Sequence, residues 1–140
     1  MDQNNDRPAL GLIVISVIMV FMAILTDIYW LASWIGRPFP RSIPLPEEVA
    51  RAFALPDVIG SFLMYLGAYG LLRRRLWAIF ITLVAIGMNF GSSLFFLSLT
   101  RTSFLNILGP IFIFILFTSC YLWIRRDLFL KKLKEKPDMP

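Results

Sequence analysis

The sequence predicts an all-α, polytopic membrane protein: an antiparallel four-transmembrane-helix bundle with a short interfacial helix in its first outer loop. Three observations predict it. Four long apolar stretches alternate with short segments that hold nearly all the charge. No Asp, Glu, Lys or Arg falls between Leu76 and Leu99, or between Thr102 and Ile124. The composition, 58% hydrophobic with a mean hydropathy of +0.72, carries more apolar surface than a water-soluble body of 140 residues has interior to hide. At 1.5 Å rise per residue, ~20 apolar residues match a hydrocarbon core roughly 30 Å thick. The whole chain, 1–140, reads as a single membrane domain.

The first span is expected over about 8–35. Pro8 suits a first helical turn, where its missing N–H costs nothing. The leader Met1–Arg7 has one Arg against two Asp, and no small-residue cleavage site follows the long apolar run, so the segment reads as a retained helix rather than a secretory signal. Gly36-Arg37-Pro38-Phe39-Pro40 then breaks the chain, and Pro44, Pro46 and Pro56 keep the first loop irregular. Within that loop Pro46 to Ala54 has a proline and two acids where a helix N-terminus favours them, and is expected to lie along the membrane surface. The second span follows at about 56–72. Arg73-Arg74-Arg75 turns it into the third at 76–99, and Thr100 to Ser103 turns that into the fourth at 104–124. Connections this short make successive helices antiparallel neighbours.

Lys and Arg give the orientation. Ten of the fourteen lie at the N-terminus (Arg7), in the second loop (Arg73 to Arg75) and in the tail 125–140; the first and third loops hold Arg37, Arg41, Arg51 and Arg101. Cytoplasmic segments are enriched in positive charge, so both termini are expected in the cytoplasm. Tyr29, Trp30 and Trp34 then mark the outer border, and Trp77, Tyr121 and Trp123 the inner one. The tail is expected to continue the fourth helix out of the bilayer. Phe129, Leu130 and Leu133 would rest on lipid while its lysines meet anionic headgroups at about 1 kcal/mol each. The basic balance is therefore topological, and nucleic acid is not an expected partner.

The composition also excludes chemistry. No His occurs, which removes the usual general base, haem ligand and commonest zinc ligand. Cys120 is the sole cysteine, so no intramolecular disulfide, CxxC pair or iron–sulfur site is possible, and ordinary packing is its expected role. Neither a metal nor a cofactor is expected. Thiol-redox membrane enzymes and the tetraspanins and claudins, which need cysteines in pairs or in an outer loop, are excluded on the same ground. Small multidrug exporters place an acid deep in the first span, where Leu10 to Leu25 has none.

In lipid, helices associate by close packing and polar contacts rather than by hydrophobicity. Gly60, Ser61, Gly67, Ala68 and Gly70 are candidate points of close approach on the second span. Ala78, Ala85 and Ser92 recur at seven-residue spacing on the third, beside Gly87-x-x-x-Gly91, which would admit a partner protein or a second copy. Gly109-Pro110 is expected to bend the fourth span in its outer half.

Polar residues collect toward the outer ends. Asp27 is the only charge in the first span and lies roughly 27 Å along the helix from Ala9. Asp57, Ser61, Asn89 and Asn106 fall at a similar depth on the other three. Together these five would line an outward-facing polar cleft for a small molecule, lipid or ion. Acids within spans are expensive and tend to have a purpose, although Asp57 suits a helix N-terminus and Asp27 has arginines in its own leaflet. Asp27 also resembles the late first-span acid of the sterol-isomerase group; Val58 to Leu72 holds no counterpart of that group's second acid, so the likeness stops at one residue.

Since no nucleophile–base pair, metal cluster or phosphate loop appears, the leading expectation is a non-enzymatic accessory or interaction component of a membrane assembly. Binding or transport through the cleft around Asp27 is the alternative. A membrane enzyme using Asp27 and Asp57 on a lipid-like substrate is the second alternative.

Overall fold

The structure, a computed structural model, describes residues 10–35, 47–100 and 104–134, with side chains described at 10–35, 52, 54–94 and 109–130. It is helical throughout: α1 (Leu10–Trp34), α2 (Glu47–Leu72), α3 (Leu76–Thr100), α4 (Phe104–Ile124) and α5 (Asp127–Lys134), with no strand among the described residues. Among those residues three helices are long and apolar enough to cross a membrane, Leu10–Trp34, Ala54–Leu72 and Leu76–Leu94, and Gly109–Ile124 is a shorter apolar helix. These helices support an integral membrane protein.

Two segments differ from expectation. The segment 47–54 is not a separate interfacial helix, because α2 runs without a break from Glu47 to Leu72 through Pro56. Proline at 56 removes one backbone bond, that to the carbonyl of Ala52. Ala52 and Pro56 are both exposed, so that carbonyl is left at a surface rather than in a packed interior. Pro38, Pro40, Pro44 and Pro46 lie outside the described residues.

The second difference is in the tail. Rather than extending α4, the chain turns at Arg125-Arg126 and starts α5, with Asp127 in its first turn, where a carboxylate complements the helix dipole. Leu128 and Phe129 donate their amides back to Arg125 and Arg126 at 3.0 Å, which closes the turn. Phe129 does not lean on lipid as expected. It is 1% exposed and belongs to the buried cluster that includes Leu12, Leu71, Ala78 and Leu122. Leu130, 42% exposed, keeps the expected outward position; Leu133 has no described side chain.

The α2–α3 turn shows how a run of three arginines caps a helix. Arg75 N–H donates to Gly70 O at 2.9 Å and Arg74 N–H to Leu71 O at 3.0 Å, the paired bonds of a Schellman cap. Its left-handed position is Arg74, φ 50°, where glycine is usual. Arg74 thus carries local backbone strain at a border where the sequence places positive charge.

The buried positions combine small or hydroxylated residues with larger ones such as Leu12, Ile15, Met19 and Leu71, and the outside is large and apolar. Ser16, Ala23, Ser61, Ala68, Ala78, Thr82, Ala85 and Thr118 are buried, while Val17, Phe21, Phe62, Phe80, Ile113 and Phe117 face outward. Exposed apolar surface on that scale fits a lipid surround rather than water. Close backbone approach joins α1 to α2 and α2 to α3 extensively, and α3 to α4 much less.

Candidate functional site

The α1–α2 seam is antiparallel, and its contacts run up α1 as they run down α2. At one end Ser16 Oγ donates to the Ala68 carbonyl at 3.3 Å. Next, a Cβ built on Gly67 would sit 3.0 Å from Met19 Cε and 2.8 Å from Thr82 Oγ1, so three helices converge on that glycine. Further out, Tyr65 Oη donates to Asp27 Oδ2 at 2.9 Å, and Trp30 Nε1 to Asp57 Oδ2 at 3.1 Å. Gly70 packs equally closely on α3, where a Cβ would lie 2.6 Å from Ala78 Cβ and 2.7 Å from the Trp77 ring. Gly67, Ala68 and Gly70 of α2 are thus used inside the chain, whereas a Cβ at Gly60 would meet no described residue within 4 Å.

Each of these two acids has its own aromatic donor. A phenol or indole N–H bonded to a carboxylate is a charge-assisted contact, stronger than a neutral one. Trp30, expected as a border residue, is instead 8% exposed and faces α2 through its indole, while Tyr29 and Trp34 remain exposed. Trp123 is exposed with Arg126 over its ring at 5.0 Å, and the Tyr121 ring covers Gly11.

Of the five residues expected to share one cleft, the structure sets four in different surroundings. Asp27 and Asp57 bond to Tyr65 and Trp30. Ser61 is 3% exposed, and its hydroxyl has no hydrogen-bond partner among the described residues, as is also true of Thr82 and Thr118. Asn89 alone lines the cavity described next. The side chain of Asn106 lies outside the described residues.

That cavity, about 260 Å³ and partly open, lies among all four long helices. Ile18, Met19 and Met22 of α1 and Met64 of α2 form one wall; Ile86 and Asn89 of α3 face Pro110, Ile111 and Phe114 of α4. Among the described residues its lining is almost wholly apolar, with Asn89 as the one amide side chain there. The level follows from helix rise: Met22 is 12 positions from Leu10 and Asn89 is 13 from Leu76, each roughly 18–20 Å from the start of its helix. Asp27 stands ~25 Å from Leu10 on the same measure, beyond the cavity residues of α1. This cavity includes Asn89 of the expected set and three methionines that the sequence did not single out. Pro110 was the available signal, because a proline that frees a backbone bond also disturbs the packing of neighbouring helices.

Gly87 and Gly91 face away from the other described residues. Both are exposed, and a Cβ at either would meet nothing within 4 Å. Cys120 is exposed as a free thiol. Among the described residues no group of three or more His, Cys, Asp or Glu could hold a metal ion.

No protein-family model matches the chain, nor does any curated protein or solved structure.

Proposed function

We propose that this protein crosses the membrane four times with both termini in the cytoplasm, and that it binds a small lipophilic molecule between its helices. The observation that carries the binding reading is the cavity of about 260 Å³ walled by α1, α2, α3 and α4. Ligand sites in helical proteins are concave, mostly apolar and furnished with few polar groups, and this space has that composition. It lies at mid-depth, within reach of molecules dissolved in the bilayer. The acids do not favour an enzyme, since Asp27 and Asp57 are held by separate aromatic donors.

Mass spectrometry of organic extracts tests this reading. Full-length protein purified in lipid nanodiscs is compared with Ile86→Trp and Ile111→Trp, which place a large ring in the cavity from either side. A lipophile enriched with the native protein and lost from both variants is the expected result. Identical extracts from all three would overturn it. For the orientation, cysteines placed at either terminus in a Cys120→Ala background should react with an impermeant maleimide only after the cytoplasmic face is opened. Labelling from outside would overturn that half.

A second reading, the interaction component, is favoured by the open face at Gly87 and Gly91. Gly87→Val should leave the monomer's stability unchanged and abolish a crosslinkable assembly in native membranes. No assembly in the native protein would remove this reading.

A further inference from the structure

We infer that the molecule held in the cavity is neutral and carries a single hydrogen-bonding group, a hydroxyl or carbonyl, which the Asn89 carboxamide recognises. The inference rests on the binding reading above and adds the ligand's chemical class.

Three observations lead to it. The first is charge. Among the described residues no ionisable side chain lines the cavity, and the two acids nearest in depth are bonded to Tyr65 and Trp30. An ion entering would find no counter-charge, and an unpaired ion in an apolar environment is strongly disfavoured.

The second is the amide itself. Asn89 lines the cavity, partly buried, with no hydrogen bond to the rest of the described chain. A carboxamide offers both a carbonyl acceptor and N–H donors, so it can serve a hydroxyl or a carbonyl equally. Sited among Met22, Met64 and Ile86, it is the polar point that would fix the orientation of an otherwise apolar body.

The third is size. A cavity of ~150 Å³ accommodates benzene. The larger space here takes an apolar group of on the order of ten heavy atoms by the same proportion, about that of a fused bicycle or a short terpenoid alcohol.

The methionines supply reporters. Met19, Met22 and Met64 line the cavity and Met88 does not, so ¹³C-methyl methionine spectra separate cavity binding from partition into lipid. The probes are 2-naphthol, 2-methylnaphthalene and 2-naphthoate, which share a ring system and differ in the polar group. With the native protein in nanodiscs, and concentrations corrected for partition, 2-naphthol should saturate the three cavity methyls at roughly fivefold lower concentration than 2-methylnaphthalene, the span of one net hydrogen bond. The anionic 2-naphthoate should shift them least. Asn89→Leu should make naphthol and methylnaphthalene equal while keeping the methionine spectrum of a folded chain. Equal saturation by these two in the native protein would overturn the inference and leave the cavity reading standing. Tightest binding of 2-naphthoate would overturn it as well. Saturable shifts from none of the probes would bring down the cavity reading itself. Should Asn89→Leu fail to fold, Asn89→Ala in the same titration decides between the first two outcomes.

Discussion

The seam of α1, α2 and α3 and the flank of α4 are built from different materials, and they pack differently. On the seam Ala68, Ala78 and Ala85 are buried, and at Gly67 and Gly70 the helices approach until a single added carbon would collide. On α4 the corresponding positions are Pro110, Ile111 and Phe114, and between them and the seam there is room for a guest. Within a bilayer no hydrophobic pressure squeezes helices together, so contact area depends on side-chain size and shape. Small residues give a closed seam; a proline flanked by bulky side chains leaves a gap. Among the described residues α4 is held near its C-terminal end, where Tyr121 covers Gly11 and Leu122 and Phe129 enter the core.

That contrast predicts its largest effect at α5. Phe129→Ala should cost about 3–5 kcal/mol, the usual range for a buried aromatic, because it unfastens the end at which α4 is attached. Leu130→Ala, one residue further and on the outward face, should change stability by less than about 0.5 kcal/mol. Thermal unfolding of both variants in the same nanodiscs checks the pair. Equal effects would mean that α5 does not dock and that α4 has some other anchor.

Next in size is the seam. Gly67→Val or Gly70→Val should each cost about 1–3 kcal/mol by overpacking. Gly109→Val, on the loose helix, meets nothing within 4 Å and should be tolerated. If the three behave alike, the difference between the two regions is only apparent. Tyr65→Phe comes third, at about 1–3 kcal/mol, because it leaves the Asp27 carboxylate without its donor. The double change Tyr65→Phe with Asp27→Leu should recover much of the loss, which a double-mutant cycle would measure directly.

Much of the seam was legible in the residue order. Ala78 and Ala85, picked out by their seven-residue spacing, are both fully buried, and Gly67 and Gly70 are sites of close approach. Helical periodicity carries that information within one element. Contacts between elements were harder. Tyr65 sits in an apolar run, and nothing local marks it as the donor to Asp27, 38 residues earlier. An antiparallel α1–α2 register could have suggested both aromatic–acid pairs, but that register depends on a loop outside the described residues. The cavity was hidden for a related reason. A void is a property of four helices at once, and residue types on one of them do not determine it. The docking of Phe129 was obscured because basic residues on both sides made the tail read as wholly interfacial.

The smallest effect sharpens the contrast most. Asn89→Leu removes a carboxamide that has no hydrogen bond to the described chain, so in the absence of a guest it should be neutral or slightly stabilising, within about 1 kcal/mol. A polar group that served only to hold α3 against α4 would behave otherwise, since deleting it would leave a buried partner unsatisfied and lower the stability measurably. Thermal unfolding of lipid-stripped protein distinguishes the two. A loss of 2 kcal/mol or so would make Asn89 part of the framework that joins the two regions. An unchanged midpoint would mark it as a group the fold itself does not use.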